Sequence, residues 1–130
     1  MKPLSIDVQR QIRYWADGAR EELETCELLF KHGKLNQGLF WSHLTLEKAI
    51  KALVVKKTHE VPPFSHDLVK LAKLAEIPLD EENTKLLDEW TKFSIHGRYQ
   101  IPNKLLKPKS EIPKARKMFK EMLSWLLSLL

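Results

Sequence analysis

Apolar residues recur along the chain at steps of three and four, and no stretch of strict alternation interrupts them, so the pattern predicts helices and no strand. Val8, Ile12, Trp15, Ala19, Leu23, Cys26 and Phe30 trace the first stripe. They predict one long amphipathic helix, capped by Ser5 or Asp7 and ending near Gly33. Its other face carries Arg10, Arg13, Asp17, Arg20, Glu21 and Glu24 and is solvated. The second helix should run from near Asn36 to about Lys57. From Leu39 to Val55, "LFWSHLTLEKAIKALVV", it is apolar on nearly every side, more than one neighbouring layer can cover. Such a helix lies at the centre of a bundle or faces a partner subunit.

Pro62 and Pro63 stop this helix. Ser65 reads as the N-cap of a short helix, "HDLVKLAKLAE", with Leu68, Leu71, Ala72 and Ala75 inward and Asp67 at its positive end. Asp80 suits the start of a fourth helix with Leu86, Leu87, Trp90 and Phe93 as inner stripe and Gly97 as terminator. Residues 100–111, "QIPNKLLKPKSE", read as a loop, and the last helix starts at Ile112 or Pro113. Ala115, Met118, Phe119, Met122, Leu126 and Leu129 form one stripe of it; Leu123, Trp125, Leu127 and Leu130 form a second that a single chain is expected to leave uncovered. The sum is an all-α, up-and-down four- or five-helix bundle forming a single domain over residues 1–130. Surplus apolar surface on the second and last helices predicts a homodimer or a hetero-partner.

Composition narrows the function. A chain of 130 residues can bury a real core, and four glycines with 43% hydrophobic residues suit an ordered helical protein. The lone cysteine, Cys26, sits in an apolar stripe and reads as a core thiol. Charges spread through "MKPLSIDVQRQIRYW" argue against a secretory signal, and "WLLSLL" is far shorter than the roughly 20 apolar residues that span a bilayer. The expectation is a cytoplasmic protein without a membrane partner.

The net charge of +5 is unevenly placed: residues 1–99 balance 15 basic against 15 acidic side chains, whereas residues 100–130 hold 7 against 2. This strip, beginning at Lys104, can attract phosphate or nucleic acid. It has no aromatic residue between Lys104 and Lys117 to stack on a base, so a merely solvated basic face is an equal reading.

Five histidines, His32, His43, His59, His66 and His96, raise the question of a metal, but no two are spaced i,i+4 and none forms a His-Glu-x-x-His motif. No metal and no cofactor are expected, and the isolated glycines make no phosphate loop. His43 stands in the middle of the apolar second helix and shares a face with Glu47 and Lys51. Either it is a histidine hydrogen-bonded within the bundle, or the three line an inter-helix cleft. His66 suits capping or function equally. In "FSIHGRYQIP" (93–102), Arg98 and Tyr99 follow a glycine at a helix end, where Arg can fork two bonds to a phosphate and Tyr can stack on a base. The competing reading has Arg98 neutralise its own helix C-terminus.

The run "FWSHLTLEKAIKALVVKK", then "PPFSHDLVKLAKLAEI", then "FSIHGRYQIP" resembles the HEPN (higher eukaryotes and prokaryotes nucleotide-binding) domain in its small free-standing prokaryotic branch. His43, Glu47, Lys48, Lys51, Ala52 and Leu53 match the first motif, His66, Asp67 and Leu68 the second, and Arg98 and Tyr99 the third. The resemblance implies a dimerising helical bundle, similar to the substrate-binding subunit of minimal nucleotidyltransferases. It implies a nucleotide or RNA as ligand and a nucleotidyltransferase as possible partner; Arg98, Tyr99 and Lys104 of the basic strip are then expected to hold the phosphate, with His43, Glu47 and Lys51 lining the neighbouring cleft. Many relatives are metal-independent ribonucleases of toxin or defence type that use an Arg, four to six residues and a His, meeting across the dimer. Here no arginine has a His at that spacing; His96 precedes Arg98, and Gln100 replaces the proline of an Arg-Tyr-Pro segment. A non-catalytic binding module is therefore expected, with an endoribonuclease using His96 or His66 as base the alternative.

Overall fold

The computed structural model describes residues 6–98 and 105–130, with side chains throughout except at residues 96–98. Five helices account for most of it: α1 (Val8–Lys31), α2 (Leu35–Thr58), α3 (Leu68–Leu74), α4 (Glu81–Arg98) and α5 (Ile112–Ser128), the last entered through a 3₁₀ turn at Lys109–Glu111. No strand occurs among the described residues.

The helix ends follow local chemistry. Asp7 caps α1, its carboxylate accepting from the Arg10 N–H at 3.1 Å. α1 stops at Gly33, whose φ of +72° suits a residue without Cβ; the Lys34 N–H then reaches back to the Leu29 carbonyl at 2.8 Å. The tight turn lays α2 antiparallel on α1. Phe30 and Gly38 meet there so closely that a Cβ on Gly38 would sit 2.6 Å from the ring. Cys26 Sγ lies 3.1 Å from Ser42 Oγ, and farther along Lys48 Nζ donates to Glu22 at 2.7 Å.

α2 is the central helix, as its apolar circumference requires: it packs against all four others, and more than half of its residues are buried. Asn36 at its start accepts from the Leu106 N–H at 2.8 Å, and Lys56 near its end donates to the Leu129 and Leu130 carbonyls at 2.8 and 3.0 Å, so α5 runs parallel to α2. Glu82, Asn83 and Leu86 of α4 line one groove with Met118, Met122 and Trp125 of α5, so those two are antiparallel. The four long helices alternate direction, with α3 in the α2–α4 connection. This is an all-α bundle whose core is built from Leu46, Ile50, Leu71, Leu87, Trp90, Phe119 and Leu126 among others.

Three expectations change. Asp67, not Ser65, caps α3, accepting from the Lys70 N–H at 3.2 Å, while Ser65 braces the turn before it by accepting from the Asp67 N–H. α4 continues through Gly97 to Arg98. The second apolar stripe of α5 is largely covered by its own chain: Leu123 is buried, and Trp125, Leu127 and Leu130 pack half-buried on the core. Trp125 shares a groove with Glu82, Asn83 and Leu86 of α4, so α4 contributes to that cover. The exposed apolar side chains include Tyr14, Leu28, Val61, Phe64 and Ile95 instead.

Candidate functional site

His43, Glu47 and Lys51 recur at every fourth position of α2, which stacks them on one face. That face meets the α2–α3 connection, which turns at His59 (φ +60°) and comes back past α2 until His66 lies against Glu47.

The contacts form a chain. The His66 Nδ1–H donates to Glu47 Oε1 at 2.6 Å, and Lys51 Nζ donates to Glu47 Oε2 at 3.1 Å. One carboxylate thus accepts two charge-assisted bonds, a strong arrangement in a protein interior. Lys51 Nζ also lies 5.2 Å from the centre of the Trp15 ring, in cation–π range. His43 donates from Nε2 to the His66 backbone carbonyl at 2.9 Å, and its ring meets the His66 ring edge-on at 6.3 Å. A carbonyl or carboxylate can only accept, which places the protons on Nε2 of His43 and Nδ1 of His66. The next amide, Leu68 N–H, donates to Thr91 Oγ1 of α4 at 3.1 Å.

Burial grades across this cluster. The side chains of His43, Glu47 and Lys51 are 0%, 7% and 8% exposed, whereas that of His66 is 40% exposed. Nδ1 faces the buried Glu47, while the His66 side chain as a whole is partly open to solvent. A buried ion pair therefore orients a half-exposed imidazole, the arrangement by which a carboxylate fixes a histidine for hydrogen bonding or proton transfer to a ligand. The side chains of His43, Glu47 and Lys51 are buried, and His66 packs against Glu47.

Of the sequence-derived candidates, the structure brings His43, Glu47, Lys51 and His66 together. The side chains of His96 and Arg98, and all of Tyr99 and Lys104, lie outside the described residues. Sequence reasoning missed Trp15 and Thr91. Trp15 fitted the core stripe of α1, and nothing local marks Thr91; only tertiary packing reveals either. The basic strip is partly committed to structure. Lys107 bonds to Glu89 at 2.6 Å, Lys120 to Glu27 at 2.5 Å, and Arg116 stacks 4.9 Å from the Phe30 ring centre. Lys109, Lys114 and Lys117 are exposed with no ion pair among the described residues.

Among the described residues no group of three or more His, Cys, Asp or Glu is placed to hold a metal ion, and no helix is long and apolar enough to cross a membrane. Burial pushes the Cys26 thiol up from its ordinary 9.0 to about 11, partly offset by its bond to Ser42.

Comparison with curated proteins found no match, and comparison with solved structures found none either. The model of the HEPN domain matches residues 12–129, from the first half of α1 to the end of α5 and across every residue of the Glu47 cluster. The chain belongs to the HEPN domain family, helical modules concerned with nucleotides and RNA.

Proposed function

We propose that this chain is a single-domain, non-catalytic HEPN module that binds a nucleotide or an RNA phosphate, works as a homodimer, and serves a nucleotidyltransferase as partner. The observation that carries the reading is the His66–Glu47–Lys51 chain, in which a buried carboxylate holds an imidazole at the surface in one tautomer. An imidazole so fixed recognises phosphate or ribose hydroxyl by direction as well as by charge. Arg98 and Tyr99 would complete the site as phosphate clamp and stacking or hydroxyl group, and Lys104 would add charge at its rim. His43 contributes by holding the His66 backbone rather than by touching ligand.

Calorimetric titration with nucleotides tests this. Wild-type protein should bind while His66→Ala and Arg98→Ala lose most of the affinity with helicity retained; equal binding by all three overturns the reading. Light scattering reads the dimer, and co-purification with the product of an adjacent nucleotidyltransferase gene reads the partner.

The His66–Glu47 contact also favours a second reading, a metal-independent endoribonuclease. A carboxylate bonded to Nδ1 is how a general base is oriented, and the half-exposed ring would take the proton of a ribose 2′-hydroxyl. Cleavage of structured RNA in EDTA, lost in His66→Ala or His96→Ala, would establish it.

A further inference from the structure

The basic excess of the C-terminal segment does not stay on α5. Arg116 stacks on Phe30, Lys120 bonds Glu27, and the Leu106 N–H bonds Asn36, so three contacts seat the start of α5 beside the α1–α2 turn. That turn brings its own exposed lysines, Lys31 and Lys34. Two separate stretches of sequence thereby make one cationic end of the bundle.

Three acidic groups at this end are engaged: Glu27 by Lys120, and Glu89 at 2.6 Å and Glu111 at 3.9 Å by Lys107. Lys31, Lys34, Lys109, Arg116 and Lys117 have no carboxylate partner among the described residues. Helix dipoles do not decide the sign here, because the N-termini of α2 and α5 and the C-termini of α1 and α4 lie together and offset one another. The side chains do.

This end is remote from the Glu47 cluster. From Leu35 to Glu47 is twelve residues of helix, about 18 Å at 1.5 Å per residue. A mononucleotide held at His66 cannot also touch Lys34; a chain of consecutive phosphates can. With no aromatic residue between Lys104 and Lys117, the strip offers charge without a stacking platform.

We propose that the end of the bundle formed by the α1–α2 turn and the first half of α5 is a sequence-independent track for a polynucleotide backbone, and that the ligand of this module is accordingly a strand rather than a free nucleotide. The proposal rests on the nucleotide-binding reading above and specifies its substrate class. Lys31, Lys34 and Lys117 would each neutralise a phosphate, while Arg116, held on Phe30, supplies a fixed charge.

The test compares wild type with the Lys31→Gln/Lys34→Gln/Lys117→Gln variant, all three positions being exposed. Probes are a labelled oligouridylate of about ten nucleotides, read by anisotropy over a salt series, and UMP and AMP, read by calorimetry. The oligonucleotide should bind wild type more tightly than either mononucleotide. In the variant the slope of log affinity against log salt should shrink by about 2, three contacts at ~0.7 each, with mononucleotide affinity unchanged. An unchanged slope, or oligonucleotide binding no tighter than mononucleotide, overturns the track and leaves the His66 site standing. Absence of all binding by wild type overturns both.

Discussion

His66 is held twice by the same face of α2: its ring nitrogen by Glu47 at 2.6 Å and its backbone carbonyl by His43 at 2.9 Å. Side chain and main chain of one residue are thus fixed by two buried groups one helical turn apart. Neither can be altered without consequences for the connection between α2 and α3.

Glu47→Gln should destabilise the bundle by about 3 kcal/mol, since it leaves the Lys51 ammonium buried under Trp15 without its counter-charge. Replacing both partners, Glu47→Gln with Lys51→Met, should recover much of that loss, because a neutral pair leaves no unpaired ion buried. Urea denaturation of the two variants decides it. A double variant that is less stable than the single one would sink the account.

Gly38→Ala should also destabilise, by about 1–3 kcal/mol, despite alanine's better helix propensity. The new methyl would meet the Phe30 ring at 2.6–2.8 Å, and that ring, capped by Arg116, has little room to retreat. Adding Phe30→Leu should make Gly38→Ala less harmful than it is alone. Additive effects in that double-mutant cycle would show that the contact is not the cause.

Alkaline stability should respond to Cys26. Its thiol is raised in the folded state, so the proton is held more tightly there than in the unfolded chain. The associated stability is present below pH 9 and is lost as pH climbs towards about 11. A rise of about two units corresponds to roughly 3 kcal/mol across that window. The melting temperature of wild type should fall relative to that of Cys26→Ala as pH rises from 9 to 11. Slow reaction of the native thiol with alkylating reagents at pH 7 is the companion observation.

Asp67→Ala should cost about 1 kcal/mol, as expected for loss of an N-cap, and Ser65→Ala clearly less. Denaturation midpoints of the pair check the assignment of the cap.

Much of the bundle was legible in the chain. Leu86, Leu87, Trp90 and Phe93 were readable as a buried stripe because helical period alone places them together, and all four are buried. The same period put His43, Glu47 and Lys51 on one face. What it could not supply was the return of His66 to that face, which depends on the path of residues 59–67 and on a contact 19 positions apart in sequence. Trp15 shows the limit in another form: its register matched the core stripe, yet its ring is only partly buried and serves Lys51. Coverage of Leu123 and Trp125 was misjudged for a related reason. How much of a helix is covered depends on the helices opposite it, and the residues of α4 beside Trp125 are not legible in α5.

The double hold on His66 has a thermodynamic corollary. Whatever binds its half-exposed ring competes with or reinforces bonds that also anchor the α2–α3 connection, so occupancy and fold stability are linked quantities. The melting temperature of this domain then becomes a gauge of its ligand: compounds that leave the His66–Glu47 bond intact should raise it with concentration. Any that draw His66 outward should show a smaller gain than their affinity alone would give.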